Sequence, residues 1–310
     1  MEREHVRFTS KHALQLAAPH TWAASVIPVI SAGCFAVATG YAISLLTMLV
    51  LLLISVLMQS AVNALNDYMD YVKGSDSIDD DVDPSDAVLV YQNINPRNAL
   101  FLSCGFIAAA FLLGIYCIAI SGFIPLVIAL IGVSIVFLYS GGKTPISYLP
   151  IGELVSGFVM GGLITLASYT VLTDSFQLIV LVWSIPVMIG IGLIMMTNNG
   201  CDIAKDIEAG RRTLPVMLGH RRTVLVYHGS MIAWYICYIA ITAIWFPSGL
   251  AVIPFALILT APSFLALWRN PLESDTRRLA MGQVLGFNVY TGIYFLLTVL
   301  AGYIWMLLFT

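Results

Sequence analysis

Charge is scarce in this chain. Only 10% of its 310 residues are Asp, Glu, Lys or Arg, whereas 59% are hydrophobic, and the mean hydropathy is +0.92. So little polar surface cannot cover a soluble globule, which leaves a polytopic membrane protein. A net charge of -3 gives no indication of a nucleic-acid partner or a strongly anionic one. The five cysteines form no CxxC pair, so neither a disulfide framework nor a zinc site is expected. The N-terminal arm is polar and lacks a signal-peptide core, and no low-complexity run or separate soluble domain interrupts the chain. A single domain over 1–310 is therefore expected, with no obligate protein partner inferred.

What is present is a series of apolar stretches, each near the ~20 residues that a bilayer core requires of a spanning helix. They lie at 19–40, 43–65, 98–120, 123–140, 152–172, 176–197, 223–246, 249–268 and 282–308. An all-α protein of nine transmembrane helices is predicted. All 14 Lys and Arg residues fall in the N-terminal arm or in the loops after the second, fourth, sixth and eighth stretches; the opposite loops have none. By the positive-inside rule the N-terminus is cytoplasmic. All of the 17 acids but Asp174 share that face, so the chemistry is expected on the cytoplasmic side.

Carboxylates bordering a spanning helix are costly and mark function by default. Two clusters qualify. Asn63, Asn66, Asp67 and Asp70 end the second stretch and continue to Asp76; Asn198, Asn199, Asp202 and Asp206 end the sixth. Spacings of three and four residues put each set on one helix face. Two such faces turned toward each other would be unstable without cations. Mg²⁺ takes a few carboxylates and shares its remaining positions with water and phosphate oxygens, so diphosphate handling is the chemistry indicated. Asp79, Asp80, Asp81, Asp83 and Asp86 read as solvated loop acids. An EF-hand there fails, because Pro84 and Val90 occupy the positions that need Gly and Glu.

At these residues the chain resembles the UbiA superfamily of intramembrane prenyltransferases, in particular its dihydroxynaphthoate prenyltransferase (MenA) branch. Asn66-Asp67-Tyr68-Met69-Asp70, followed by Lys73, Gly74 and Asp76, is similar to the branch's first aspartate-rich motif. Asn198-Asn199 through Asp202, Asp206 and "RRTLPVMLG" is similar to the second. "YSGGKTPISYLPIGEL", 139–154, resembles the loop after the fourth helix, and "APHTWAASVIPV" the first helix; the last three stretches carry no recognised motif.

The resemblance implies nine helices around a central cavity open to lipid, with Mg²⁺-bound prenyl diphosphate beneath a cytoplasmic cap. It implies loss of diphosphate to an allylic cation, captured by an electron-rich aromatic acceptor, dihydroxynaphthoate in the menaquinone case. Asn63, Asp67 and Asp70 are expected to hold one metal and Asp202 and Asp206 the other, with Asn66 and Asn199 assisting at the substrate. Lys143, Lys205, Arg211 and Arg212 either meet phosphate or snorkel to the surface. Tyr139 and Tyr148 either position the acceptor or are ordinary interfacial tyrosines. Glu153 either joins the polar cavity or is an ordinary helix N-terminal carboxylate, and Gly157, Gly161 and Gly162 fit close helix packing.

Three departures from the family pattern each lose a guanidinium: Ala18 before Pro19, Asp86, and Cys201 before Asp202. Neither alanine, aspartate nor cysteine can imitate the two-pronged arginine clamp. That keeps open a different acceptor or a noncatalytic homologue. A cation-coupled transporter is the rival from another class. Transporters place coupling groups near the midplane on broken helices, whereas these acids sit at helix ends.

Overall fold

Residues 5–73, 88–141 and 144–309 are described in the computed structural model. Among them regular structure is helical, apart from one bridge between Val6 and Ile94. Asp76, the acids from Asp79 to Asp86 and Lys143 lie outside the described residues.

Local signals start several helices where the sequence places them. Helix α1 (Ser10–Ala17) is entered through Thr9, whose hydroxyl accepts from the His12 N–H in a capping box, and it ends at Ala18 with a φ of 44°. Asn95 caps α5 (Pro96–Ser121), its side chain accepting from the Arg97 N–H at 3.0 Å, with Pro96 in the first turn. Proline likewise opens α6 (Ile124–Ser140), α10 (Ile185–Cys201) and α14 (Ile253–Trp268).

Every apolar stretch is helical. The first is α2 (Ala23–Ala38) and the second α3 (Leu45–Lys73); α5 and α6 form the third and fourth. The fifth is a composite of α7 (Gly152–Ser156), a π-helical segment Gly157–Leu163, and α8 (Ile164–Thr173). The sixth is broken at Ser184 into α9 (Ile179–Trp183) and α10. α13 (His220–Trp245), α14 and α15 (Arg277–Phe309) complete the series, and short helices α4 (Val88–Gln92), α11 (Ile203–Glu208) and α12 (Leu214–Leu218) lie at one end.

Five of these helices are long and apolar enough to cross a bilayer alone. A sixth arises if the pair Ser10–Thr21 and Ala23–Ala38, bent by 57°, counts as one span; Ile124–Tyr139, Ile185–Cys201 and Ile253–Trp268 are shorter apolar helices. With exposed Phe101, Leu112, Phe123, Leu138, Phe255 and Ile258 on its outside, the bundle is an integral, multi-pass membrane protein.

The fifth span is central, with 61% of its most apolar window buried, against 17% for α5 at the periphery. Glycines explain how it comes so close to α10. A Cβ on Gly157 would lie 2.5 Å from the Met188 carbonyl oxygen, and one on Gly161 2.7 Å from Met188 Cα, so both positions serve backbone-to-backbone packing as the sequence indicated. Elsewhere the spans are cross-linked by hydroxyl pairs: Thr197 with Tyr227, Tyr238 with Thr298 and Tyr235 with Thr260, each at 2.7 Å. Such a bond contributes only about 0.6 kcal/mol in a bilayer. Its larger effect is to avoid an unpaired hydroxyl in hydrocarbon, which costs several kcal/mol.

Between α2, α10, α13 and α15 lies a narrow cavity of about 20 Å³, lined by Ile27, Ser31, Val187, Trp234 and Asn288. It has room for a water molecule.

Gly161→Ala is expected to lower the unfolding temperature in detergent. Overpacking against immovable backbone costs about 1–3 kcal/mol, more than the ~1 kcal/mol of helix propensity that alanine gains. Gly132→Ala, whose Cβ would meet only Val159 Cγ1 at 3.8 Å, should be neutral or stabilising in the same thermal scan.

Candidate active site

Both acidic clusters lie at the end of the bundle covered by the short helices. The first is fully helical, because α3 runs on to Lys73 and carries Asn63, Asn66, Asp67 and Asp70 in its last turns. Asp67 is buried. Its carboxylate accepts from the Val88 N–H at 2.8 Å and the Leu89 N–H at 3.2 Å, docking α4 onto α3. Around this junction Leu16, Ala64, Val88, Leu89, Ile94 and Ala99 form a small core of their own. Asn63 performs a similar task on the other side: its amide donates to the Ala17 carbonyl and to Thr21 Oγ1, and its Oδ1 accepts from Gln59. Asp70 is half-buried further along.

The second cluster departs from the single face expected of it. Asn198 lies in α10, but Asp202 occupies the break between α10 and α11, and the acids there part company. Asn198 and Asp202 meet Arg277 at the start of α15, whose guanidinium donates to Asn198 Oδ1 at 2.6 Å and to Asp202 Oδ2 at 3.1 Å. Asp206 turns inward and is 2% exposed. It accepts from the Thr213 hydroxyl at 3.1 Å and from Arg211 at 3.4 Å. Burial raises the Asp206 carboxyl above the ordinary value for aspartate, with Arg211 and Thr213 pulling it back. Asn199, one residue after Asn198, faces elsewhere again and donates to Glu153 Oε1 at 2.8 Å.

Arg211 joins the clusters. Its guanidinium lies within electrostatic range of both Asp206 and Asp70, one acid from each motif, and 5.0 Å over the ring of Tyr148. The Arg212 N–H donates to the Tyr148 carbonyl at 2.8 Å, so the 144–151 segment and the 202–219 segment meet, while the Arg212 side chain itself is exposed. Tyr139 lies within electrostatic range of Glu153 and Arg211. Lys205 sits half-buried on α11.

The expected metal-ligand set is thus distributed. Among the described residues no three His, Cys, Asp or Glu side chains are near enough to hold one ion between them. The donors are nonetheless all hard oxygens, the kind Mg²⁺ takes while sharing its shell with phosphate.

Similarity to known proteins places the chain in a family. Residues 25–282 match the model of the UbiA prenyltransferase family. The chain belongs to the UbiA prenyltransferase family. A 1,4-dihydroxy-2-naphthoate octaprenyltransferase of Bacillus subtilis is 36% identical over 222 residues, covering 72% of this chain and 70% of that one. A UbiA homologue of Aeropyrum pernix solved without ligand superposes with a TM-score of 0.64 at 17% identity, over 97% of this chain and 100% of that one. A UbiA homologue of Archaeoglobus fulgidus, solved with GPP and Mg²⁺, superposes with a TM-score of 0.61 at 17% identity, over 92% and 99%. This UbiA-family chain is accordingly a prenyltransferase, and its similarity to the dihydroxynaphthoate branch rests on the Bacillus relative.

Sequence reasoning missed two residues that pair with the candidate acids of this UbiA-family chain, Arg277 and Thr213. Arg277 lies 75 residues from Asp202, in a part of the chain without a recognised motif, and only its place among the cations expected to share one membrane face pointed toward it. It brings a guanidinium to Asp202, next to Cys201. Thr213 lay inside the quoted "RRTLPVMLG" without a role.

Arg277→Gln and Asp202→Asn are expected to be coupled. Both groups are partly exposed, at 24% and 19%, so the pair is worth about 0.5–1.5 kcal/mol, above an open surface pair and below a buried one. A double-mutant cycle on thermal or denaturant unfolding measures it; strictly additive effects would deny the contact any energetic weight.

Proposed function

We propose that this UbiA-family enzyme transfers a prenyl group from a prenyl diphosphate to a hydroxylated aromatic acceptor, with dihydroxynaphthoate the first candidate. The observation that carries this reading is the convergence of α3 and the 202–213 segment on Arg211, which feels an acid of each motif. A bound diphosphate would find there a cation paired with Asp206 and within electrostatic range of Asp70. The reading also includes nine crossings, a cytoplasmic N-terminus and both motifs on the cytoplasmic face, supported by the segregation of Lys and Arg.

Asp67 and Asp70 on one side and Asp202 and Asp206 on the other are the residues that would hold Mg²⁺. When bound, Mg²⁺ supplies the positive charge that neutralises the leaving diphosphate in a site short of water. The rest falls to the chain's own groups. Arg211, Lys205, Arg212 and Lys143 supply phosphate-binding cations, and Asp206, costly to ionise where it is buried, gains from any cation brought beside it. The C1–O bond of the allylic diphosphate breaks, its electron pair leaving with the diphosphate. Tyr139 and Tyr148 are the candidates to position the acceptor, the Tyr148 ring lying under the Arg211 guanidinium. The apolar bundle excludes water that would quench the resulting allylic cation. A ring carbon of the acceptor then forms the new C–C bond, and loss of its former substituent, H⁺ or CO₂, restores aromaticity.

The guanidinium missing at Cys201 is offset from α15 by Arg277, which favours an active enzyme over a noncatalytic homologue. The decisive experiment incubates purified protein with radiolabelled prenyl diphosphate and a panel of aromatic acceptors, with and without Mg²⁺. Transfer is expected to require Mg²⁺ and to fall about 100-fold or more in Asp70→Asn and Asp202→Asn. Asp70 is a cleaner probe than Asp67, which also anchors α4. Metal-independent product, or full activity in both variants, would rule the reading out. Accessibility labelling of single cysteines placed at 97 and 212 should report the cytoplasmic face for both.

A further inference from the structure

A buried carboxylate beside the two acidic clusters has no task in the metal and diphosphate reading. Glu153, in the first turn of α7, is only 4% exposed, and its carboxylate is half satisfied. Oε1 accepts from Asn199 Nδ2 at 2.8 Å, while Oε2 is buried with no hydrogen-bond partner. The Tyr139 hydroxyl is also buried without a partner. It lies 3.5 Å from where a Cβ on Gly152 would stand, next to Glu153 along the chain, and within electrostatic range of Glu153 itself. One orphan is an acceptor that needs a hydrogen and the other a hydroxyl that has one to give, yet no bond joins them. Leaving such groups unpaired costs about 1–3 kcal/mol apiece, more for a charged one, so their coexistence beside a substrate site calls for a ligand.

We infer that Glu153 and Tyr139 form a subsite for a hydroxyl of the aromatic acceptor, the ring O–H donating to Glu153 Oε2 while its oxygen accepts from the Tyr139 hydroxyl. This rests on the transfer to a hydroxylated aromatic acceptor proposed above. Donor and acceptor chemistry selects the ligand. A diphosphate offers only acceptor oxygens and negative charge, which Glu153 repels; a hydroxyl satisfies both orphans at once. Position agrees with this. Asn199 comes from the second acidic motif, so the contact that fixes Glu153 also fixes the distance between the acceptor subsite and the residues expected to hold the diphosphate. A hydroxyl held by a carboxylate also enriches its ring in electrons, which favours attack on an allylic cation. Glycine packing makes the arrangement rigid: the close approach of Gly157 and Gly161 to Met188 presses the fifth span against α10, which carries Asn199.

The test uses the full-length enzyme in detergent or nanodiscs, with Glu153→Gln and Tyr139→Phe. Tyr139→Phe removes a hydroxyl that has no partner in the fold, so it probes the subsite even if Glu153→Gln folds poorly; thermal unfolding reports on both. In the absence of prenyl diphosphate and Mg²⁺, calorimetric titration with a dihydroxylated naphthalene acceptor should show binding weakened at least about tenfold in each variant. O-methylation of the acceptor hydroxyl should weaken binding to the wild type similarly and cost the variants little more. In turnover assays KM for the acceptor should rise, while KM for prenyl diphosphate and the Mg²⁺ concentration for half-maximal rate stay put. Unchanged acceptor affinity in both variants, or a shift confined to the Mg²⁺ dependence, would overturn the subsite. Failure of the wild type to prenylate any hydroxylated acceptor would instead remove the parent reading, and it would show before any variant was made.

Discussion

Compensation of negative charge at the edge of an apolar bundle is the constraint on which this structure depends. Carboxylates cannot stand unpaired where little water reaches them. The fold meets each in a different way: Asp67 with two backbone N–H groups of α4, Asp202 with Arg277 of α15, and Asp206 with Thr213 and Arg211. Each solution draws a separate element over the site. The cap is therefore held by the same charges that are proposed to bind metal, so a cation bound there would compete with contacts that hold the cap in place.

Packing in the middle of the membrane sets the positions that this electrostatics requires. Hydrocarbon supplies no hydrophobic drive between helices, so close approach depends on small residues and internal polar pairs. Gly157 and Gly161 let the fifth span press onto the backbone of α10 at Met188, and the consequence at the end of the bundle is that Glu153 reaches Asn199. The π-helical turn beginning at Gly157 follows Glu153 within one turn of helix. Such turns occur often at functional sites, where they re-aim side chains. Membership of the UbiA prenyltransferase family supplies a natural use for a rigid polar rim above an apolar interior.

Much of the fold was legible in the sequence, because a bilayer imposes a single rule on every crossing: enough apolar residues, helical throughout, with cations kept to one side. Each of the nine stretches is helical, and both acidic clusters fall at helix ends, on α3 and at the α10–α11 break. The helix ends were less legible. α3 extends to Lys73, well past the apolar limit at 65, because its polar turns are held by α1 and α4. The even face expected of Asn198, Asp202 and Asp206 fails at Asp202, where the helix breaks and sends Asp206 toward Thr213.

The sequence by itself determined the class of the protein and the chemistry of its rims, since composition, periodicity and the spacing of carboxylates are local properties that need no partner. Only the tertiary structure decided the pairings: Arg277 with Asp202, Arg211 poised between motifs, Glu153 held by Asn199 with one oxygen left over. These contacts join residues far apart in the chain. Their energies depend on burial and distance, which exist only once the helices have packed.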